Sequence, residues 1–223
     1  MLRPTLTDKQ KELIALIEEQ FAKRPKGIRG NNRPKKSTGK GRSVAYGFVR
    51  RRSYPPGPSA ENKRWPALYN LLKQYGETVG LAWDSIQVNI DCVCGKHRDV
   101  GNFGDSYLVS GGDYTGGELV VEDVEYDCRY APIVFNGSER EHWNKPMTGH
   151  KWSIIFFQTT IPKQFERYFP EGWRETYPNY KDEFLPGCNV ATRRSKVESA
   201  PVIGEGGGEG GLVPEDVSAE SSS

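Results

Sequence analysis

The sequence has few of the features that mark disulfide-stabilised, secreted or membrane-spanning proteins. It contains only four cysteines in 223 residues, which is too few for a disulfide scaffold and favours a reducing compartment. No apolar run approaches the roughly 18 residues that span a bilayer, and the initial MLRPTLTDKQ lacks the apolar segment of a secretory signal. We therefore expect an intracellular, non-secreted monomer with no membrane partner.

Charge of one sign is missing from two parts of the chain, although the net charge is only +2. Between Lys23 and Arg52 there are twelve Lys and Arg residues and no acid, whereas the segment from Val197 to Ser223 has six acids and no base. A cationic stretch of this kind can neutralise several phosphates of a nucleic acid. A solvated tail or a localisation signal has the same composition, so the pattern alone leaves the partner open.

Hydrophobic periodicity predicts two helices and a series of short strands. Residues 6–23 and 65–79 have apolar residues at helical spacing, and Thr7 with Gln10 has the pattern of a capping box. VAYGFV at 44–49 predicts a short strand. After the second helix, apolar segments alternate with Gly, Asp and Asn turns in the order IQVNI, SYLVS, GELVVE, APIVFN and KWSIIFFQ. Several short strands at this spacing indicate a compact β-sandwich or β-barrel.

These patterns divide the chain into four parts. Residues 1–22 are predicted to form an N-terminal helix, and residues 23–60 a basic, partly flexible arm. Residues 61–190 contain the second helix and most of the strands. Residues 191–223 form an acidic tail of low complexity, which we expect to be disordered.

Histidine is scarce, and the three histidines are His97, His142 and His150. His97 is followed by Asp99, and residues i and i+2 of a strand point to the same face, so these two side chains can bind one metal ion. A second histidine from a distant strand would complete a two-His-one-carboxylate triad. This triad is typical of Fe(II) oxygenases, because it leaves adjacent positions open for a chelating co-substrate and for dioxygen.

Either His142 or His150 could be the distal ligand. A chelating co-substrate such as 2-oxoglutarate needs a cation for its far carboxylate, on the strand that follows the histidine. From His142, the segment NKPMTG supplies a turn, and Lys151 follows nine residues on. From His150, Lys151 is the adjacent residue and would point to the opposite face, which leaves only Lys163. The spacing therefore favours His142.

Three segments follow one another in a distinctive order: HRDVGNFGDS at 97–106, GGDYTGGELVV at 111–121 and KWSIIFFQ at 151–158. The region around them resembles the 2-oxoglutarate/Fe(II) oxygenase superfamily, and within it the TET/JBP family, which oxidises the methyl group of pyrimidines in nucleic acid. The resemblance implies an α+β fold, with a double-stranded β-helix core of the jelly-roll or cupin type flanked by N-terminal helices. It also implies a nucleic-acid partner, with DNA favoured over RNA, in the nucleus or wherever that nucleic acid lies.

The resemblance also implies the cofactors and their ligands. Fe(II), 2-oxoglutarate and O2 would be required, as in the rest of the superfamily. His97, Asp99 and His142 match the iron ligands, and Lys151 and Ser153 match the positions that hold 2-oxoglutarate.

Substrate contacts follow from the same resemblance. Asn102 matches an asparagine that faces the target base, and Phe157 falls where an aromatic side chain stacks on the flipped base. Because Phe156 and Phe157 face opposite sides of a strand, only one of them can line the site. Asn89 and Tyr107 are further candidates for the co-substrate pocket, or else polar residues whose hydrogen bonds are satisfied within the core.

Two departures keep other functions open. Lys151 stands where the family has an arginine, and GHKW is similar to prolyl 4-hydroxylases, so a prolyl or other protein side-chain hydroxylase is an alternative. Cys92, Cys94 and His97 could instead bind a structural zinc ion, although no fourth ligand is evident. The chain would then be a zinc-stabilised nucleic-acid-binding module without enzymatic activity.

Overall fold

The computed structural model describes residues 1–23, 37–38, 41–50, 55–169 and 171–172. Its helices are α1 (Asp8–Lys23), α2 (Glu61–Arg64) and α3 (Pro66–Gly76), and a 3-10 helix covers Lys163–Tyr168. Its strands, in chain order, are β1 (Ser37–Thr38), β2 (Arg42–Val49), β3 (Gly57–Pro58), β4 (Ser85–Ile90), β5 (Val93–Cys94), β6 (Asn102–Gly116), β7 (Leu119–Val121), β8 (Val124–Tyr126), β9 (Ile133–Phe135), β10 (His142–Asn144) and β11 (Met147–Thr159). Within the described ranges, no helix combines the length and apolarity needed to cross a membrane.

Two antiparallel sheets form the body of the fold. The large sheet has the strand order β3-β2-β4-β11-β6-β9, and the small sheet has the order β10-β7-β8. From β6 onward the chain alternates between them, since β6, β9 and β11 belong to the large sheet and β7, β8 and β10 to the small one. The predicted fold class is confirmed: the protein is α+β, with a double-stranded β-helix core flanked by N-terminal helices.

Alternation along its strands gives the large sheet two different faces. One face packs against α1 and α3 through apolar side chains that are at most 1% exposed, among them Ile17, Leu72, Ile86, Ile154 and Phe156. Truncating a side chain at such a position to alanine typically costs about 2–5 kcal/mol of stability. The opposite face is more polar and borders a cavity, so the helices stabilise the sheet from the side away from that cavity.

The N-terminal helix begins with the predicted capping box. The Gln10 N–H donates to Thr7 Oγ1 at 3.2 Å, and the Thr7 N–H donates to Gln10 Oε1 at 2.9 Å. Further along α1, Glu18 Oε1 accepts from the Tyr130 hydroxyl at 2.7 Å and from Trp152 Nε1 at 2.9 Å. The contact with Trp152 fixes α1 to the large sheet at the residue that follows Lys151.

The structure moves one boundary of the predicted arm. The short strand predicted at 44–49 is confirmed as β2, which pairs with β4, so this part of the predicted arm belongs to the large sheet. It does so because Val44, Tyr46 and Phe48 are buried on one face of the strand. The predicted acidic tail lies outside the described residues, and so does half of the arm, at 24–36, 39–40 and 51–54.

Candidate active site

Backbone pairing brings the predicted metal ligands together. His142 begins β10 and forms an isolated bridge with His97, in which the N–H of each residue donates to the carbonyl of the other, at 3.0 and 2.9 Å. The Asp99 N–H donates to the Gly137 carbonyl at 2.8 Å. The strand predicted around His97 and Asp99 is therefore reduced to a single bridge, yet the two side chains still point to the same side.

The ligand atoms of His97, Asp99 and His142 all lie within 4.8 Å of one another. Asp99 Oδ1 is 3.4 Å from His97 Nε2, and Asp99 Oδ2 is 3.5 Å from His142 Nε2. The two histidines are 8% and 6% exposed, and their ring centroids are 4.4 Å apart. Across the part of the chain that the structure describes, no other histidine, cysteine or acidic side chains converge in this way.

Hydrogen bonds on the far side of each ring decide which nitrogen faces the cluster. His97 Nδ1 lies 2.7 Å from the Gly95 carbonyl oxygen, and His142 Nδ1 lies 2.9 Å from that of Arg140. A carbonyl only accepts, so each Nδ1 carries a proton, and Nε2 is the nitrogen of each ring that faces the cluster and is placed to bind a metal. His97 Nε2 is buried and has no hydrogen-bond partner among the described residues. Two neutral imidazoles and one carboxylate are a donor set that fits Fe(II).

The alternative metal ligands lie apart from this cluster. The His150 side chain is 91% exposed, and its Nδ1 lies 3.2 Å from Asp91 Oδ2. The Cys92 thiol faces a backbone carbonyl 3.1 Å away. Within the described ranges, neither Cys92 nor Cys94 joins His97 in a group that could hold a metal. The structure therefore places neither His150 nor a cysteine-based zinc site at the cluster.

A cavity between the two sheets is lined by all three candidate ligands and by Lys151. Lys151 is only 7% exposed; its amine donates to the Gly117 carbonyl and lies 5.1 Å from the centroid of the Tyr114 ring. Burial lowers the pKa of this amine, against smaller opposing effects of Cys128 and Asp127. Among the described residues, no carboxylate forms an ion pair with it. The cavity thus contains a buried lysine beside a metal-binding group, and the described residues supply no counter-ion for it.

Ser153 and Asn89 belong to a hydrogen-bonded row that crosses three strands. Asn89 lies opposite Ser153 on one side and opposite Ser43 on the other. The Ser43 hydroxyl donates to Asn89 Oδ1 at 2.7 Å, and Asn89 Nδ2 donates to Ser153 Oγ at 3.4 Å. Because Ser153 accepts in this row, its own O–H proton can be donated to a ligand in the cavity. Both Ser153 and Asn89 line the cavity, as does Lys151.

Tyr107 lies away from the cavity, contrary to the prediction that it lines the co-substrate pocket. Its side chain is on the helix-facing side of β6, 1% exposed, and its hydroxyl lies 2.9 Å from that of Tyr75. Burial raises the pKa of Tyr107 to about 12, so this hydroxyl stays neutral. Strand alternation explains the placement: Ser106 and Leu108 take the cavity face, and Tyr107 between them takes the other.

The two predicted substrate residues are placed at the cavity. Asn102 and Phe157 both line it, whereas Phe156 packs in the core against the helices. The Asn102 N–H donates to the Asp99 carbonyl at 2.8 Å. A tight turn therefore connects a candidate metal ligand to a candidate substrate contact.

Four further side chains with hydrogen-bonding groups line the cavity and were not singled out from the sequence: Gln87, Ser106, Trp143 and Asn144. Trp143 and Asn144 directly follow His142 in β10, and this proximity was a usable signal. Gln87 shares a strand face with Asn89, and Ser106 shares one with Asn102. Strand alternation from those two residues was the only sequence signal for Gln87 and Ser106.

No protein-family model matches the sequence, and neither does any curated protein. Among solved structures, an oxidoreductase of the 2OG-Fe(II) oxygenase family from Burkholderia pseudomallei is 17% identical, with a TM-score of 0.46 over 65% of this chain and 77% of that one. NgTET1 in complex with 5mC DNA is 12% identical, with a TM-score of 0.48 over 70% of this chain and 69% of that one. A prolyl-4-hydroxylase from Pseudomonas putida is 15% identical, with a TM-score of 0.40 over 71% and 92%. Identities and TM-scores this low assign no function, which has to be inferred from the side chains of the site.

Proposed function

We propose that the chain is a 2-oxoglutarate- and Fe(II)-dependent dioxygenase that oxidises a 5-methylpyrimidine in nucleic acid. One observation carries the proposal: two imidazole Nε2 atoms and a carboxylate converge on a cavity that also contains a buried lysine, for which the described residues supply no counter-ion. The first group suits a metal ion and the second suits an anion. A ligand that chelates the metal and carries a distant carboxylate satisfies both.

His97, Asp99 and His142 would hold the iron. The carbonyls that accept from the two Nδ1 atoms keep both rings in the tautomer and orientation that ligation needs. Three protein ligands leave open the positions that a bidentate co-substrate and dioxygen require. Bound there, Fe(II) with 2-oxoglutarate and O2 supplies the oxidation of an unactivated C–H bond, while 2-oxoglutarate is converted to succinate and CO2.

Lys151 and Ser153 would bind the far carboxylate of 2-oxoglutarate. The lysine amine offers a charge-assisted hydrogen bond, and the serine hydroxyl offers a second donor whose position the Asn89 side chain fixes. Since burial lowers the pKa of the Lys151 amine, an arriving carboxylate shifts that pKa back upward and favours the charged form. A lysine provides a point charge where an arginine would provide a planar fork, so the carboxylate is free to rotate about this contact.

The nucleic-acid substrate is supported by side chains in the cavity and at its edge. Asn102 can hydrogen-bond the edge of a base and Phe157 can stack on its face, and both line the cavity. Arg50, an exposed cation of the arm, lies against Gly101, where an added Cβ would be 2.9 Å from Arg50 Nη1. Gly101 lies between Asp99 and Asn102 in the chain. A cation at this position can contact a phosphate next to a base that has left the stack.

The deciding experiment measures oxidised nucleosides. The full-length protein is loaded with Fe(II) without oxygen, then mixed with 2-oxoglutarate, O2 and DNA or RNA that contains 5-methylcytosine or thymine. Mass spectrometry of the digested nucleic acid is expected to show the hydroxymethyl base, with succinate formed in proportion. The His142→Ala variant should form neither product.

A protein substrate would give a different pattern in the same assay. Succinate that forms only when a proline-containing peptide is added, with no oxidised nucleoside, contradicts the nucleic-acid substrate and indicates a protein hydroxylase. The absence of succinate in every mixture contradicts the dioxygenase assignment as a whole.

A further inference from the structure

Ser106 is a buried cavity residue whose hydroxyl has no hydrogen-bond partner among the described residues. It is 2% exposed. Ser110, four residues along the same face of β6, is equally buried, but its hydroxyl lies 3.0 Å from that of Tyr114. A buried hydroxyl without a partner destabilises the folded protein, because it loses its hydrogen bonds to water. The fold retains Ser106 at this cost, whereas Ser110 has a structural partner that accounts for its burial.

Ser106 lies on the cavity face of β6 at an irregularity of this strand. Tyr107 pairs with Phe156 of β11, but the next paired residues are Phe103 and Gln158. Three residues of β6, numbers 104–106, therefore stand opposite the single residue Phe157. Bulges of this kind re-aim side chains and occur often beside active sites.

The surroundings of the Ser106 hydroxyl form a slot with one aromatic wall. Ser106 lies opposite Phe135 in the sheet register, and the bulge that contains it lies opposite Phe157. On the other side of the bulge is Asn102, which also lines the cavity. In the chain between them, Gly104 has a φ of +68°. The slot thus offers an aromatic side chain, an amide and a hydroxyl that has no hydrogen-bond partner among the described residues.

We propose that Ser106 is a substrate-recognition residue, whose hydroxyl hydrogen-bonds a ring nitrogen or carbonyl of a planar heterocyclic base lying against Phe157. This inference rests on the proposed function, because it needs a base to enter the cavity. A hydroxyl both donates and accepts, which matches the donor and acceptor atoms on the edge of a pyrimidine. The ring of a prolyl side chain carries no polar atom on its edge and would leave the Ser106 hydroxyl unpaired.

The first test measures stability without any ligand. Ser106→Ala removes a hydroxyl that has no partner, so its urea-unfolding midpoint is expected to equal or exceed that of the wild type. Ser110→Ala is the matched control, because it removes a bonded hydroxyl from the same face of the same strand, and its midpoint should fall. A fall in Ser106→Ala as large as that in Ser110→Ala would show that Ser106 is structural and would overturn the proposal.

The second test measures recognition of the base. Single strands of one sequence carry 5-methylcytosine, thymine or an abasic site at the same position, and fluorescence anisotropy gives their affinities without O2, with Fe(II) and 2-oxoglutarate present. The wild type should bind a strand with a base more tightly than the abasic strand. Ser106→Ala should reduce this gain about three- to tenfold, the effect of one hydrogen bond, with no change in affinity for the abasic strand.

The outcomes separate this inference from the proposed function. If the wild type forms oxidised nucleosides and Ser106→Ala still prefers a strand with a base to the abasic strand as strongly as the wild type does, only the recognition role is overturned. If Ser106→Ala loses this preference but the wild type forms no oxidised nucleoside, recognition is supported and the proposed oxidation is contradicted. Equal affinity of the wild type for all three strands overturns the recognition role.

Discussion

His97 and His142 exchange two backbone hydrogen bonds, so that the two imidazoles are held together by main-chain contacts. In each residue, Nδ1 also bonds a carbonyl two positions earlier in the chain. Neither arrangement depends on the other histidine's side chain. The orientation of the ligands is therefore built into the backbone, and we expect the site to keep its geometry when one ligand is replaced.

Replacing His142 should remove metal binding, and replacing His150 should not. His142→Ala is expected to weaken Fe(II) affinity by more than about 100-fold. Removing a residue that only hydrogen-bonds a metal ligand already lowers metal affinity roughly 10–100-fold, and His142 is itself a ligand. Anaerobic titration with Fe(II) measures this affinity. His150→Ala, the control, changes an exposed histidine and should bind iron like the wild type. Equal losses in the two variants would contradict the assignment of the distal ligand.

Tyr107→Phe should affect stability and leave co-substrate binding unchanged. Its hydroxyl is the described partner of the buried Tyr75 hydroxyl, so the substitution leaves that hydroxyl unpaired and should cost about 1–3 kcal/mol of unfolding free energy. The double variant Tyr75→Phe/Tyr107→Phe removes both hydroxyls and should recover most of the loss. Urea unfolding measures the stabilities, and calorimetry measures 2-oxoglutarate affinity. A weakened affinity in Tyr107→Phe at wild-type stability would contradict its place in the core.

The sequence predicts those parts of the site that depend on local pattern. The capping box at Thr7, the strand face shared by Lys151 and Ser153, and the pairing of His97 with Asp99 follow from spacings of two or three residues. Of the two interpretations of Tyr107 that the sequence left open, the structure shows the core residue with a satisfied hydroxyl, because its neighbour Leu108 takes the cavity face.

Other features depend on which strands become neighbours, and spacing does not reveal this. The bulge at residues 104–106 exists only because β6 pairs with β11 on both sides of Phe157. The surroundings of Lys151, where the described residues supply no counter-ion, likewise depend on which elements meet at the cavity. Strand β2 was predicted at 44–49 from its apolar pattern, but its place in the large sheet beside β4 depends on tertiary pairing.

Binding of 2-oxoglutarate should weaken as the pH rises, and the fall should begin at a lower pH than it would if the Lys151 amine had the pKa of an ordinary lysine. The carboxylate needs the charged form of Lys151, and burial lowers the pKa of this amine from its usual 10.5. Affinity should therefore be constant below the folded-state pKa and fall as the pH rises through it, at a pH below 10.5. Calorimetric titrations of the Fe(II)-free protein across this range measure the effect.

Two variants at Lys151 test the source of that pH dependence. Lys151→Met removes the charge and should weaken 2-oxoglutarate binding about 10- to 100-fold at neutral pH, the loss of a charged hydrogen bond, with no further alkaline fall. Lys151→Arg keeps the charge throughout and should abolish the alkaline fall. An unchanged fall in either variant would show that a different group titrates.

Arg50→Gln should weaken nucleic-acid binding through the loss of one phosphate contact. Arg50 is exposed and lies against Gly101, in the turn that joins Asp99 to Asn102. Removing one phosphate contact should lower affinity several-fold and reduce the slope of log affinity against log salt by about one. Lys11→Gln is the control, because it removes the same charge from α1, on the side of the large sheet away from the cavity. Anisotropy titrations with a methylated duplex at several salt concentrations measure both slopes. Equal slopes for the two variants would show that the edge of the cavity at Gly101 does not contact the backbone of the nucleic acid.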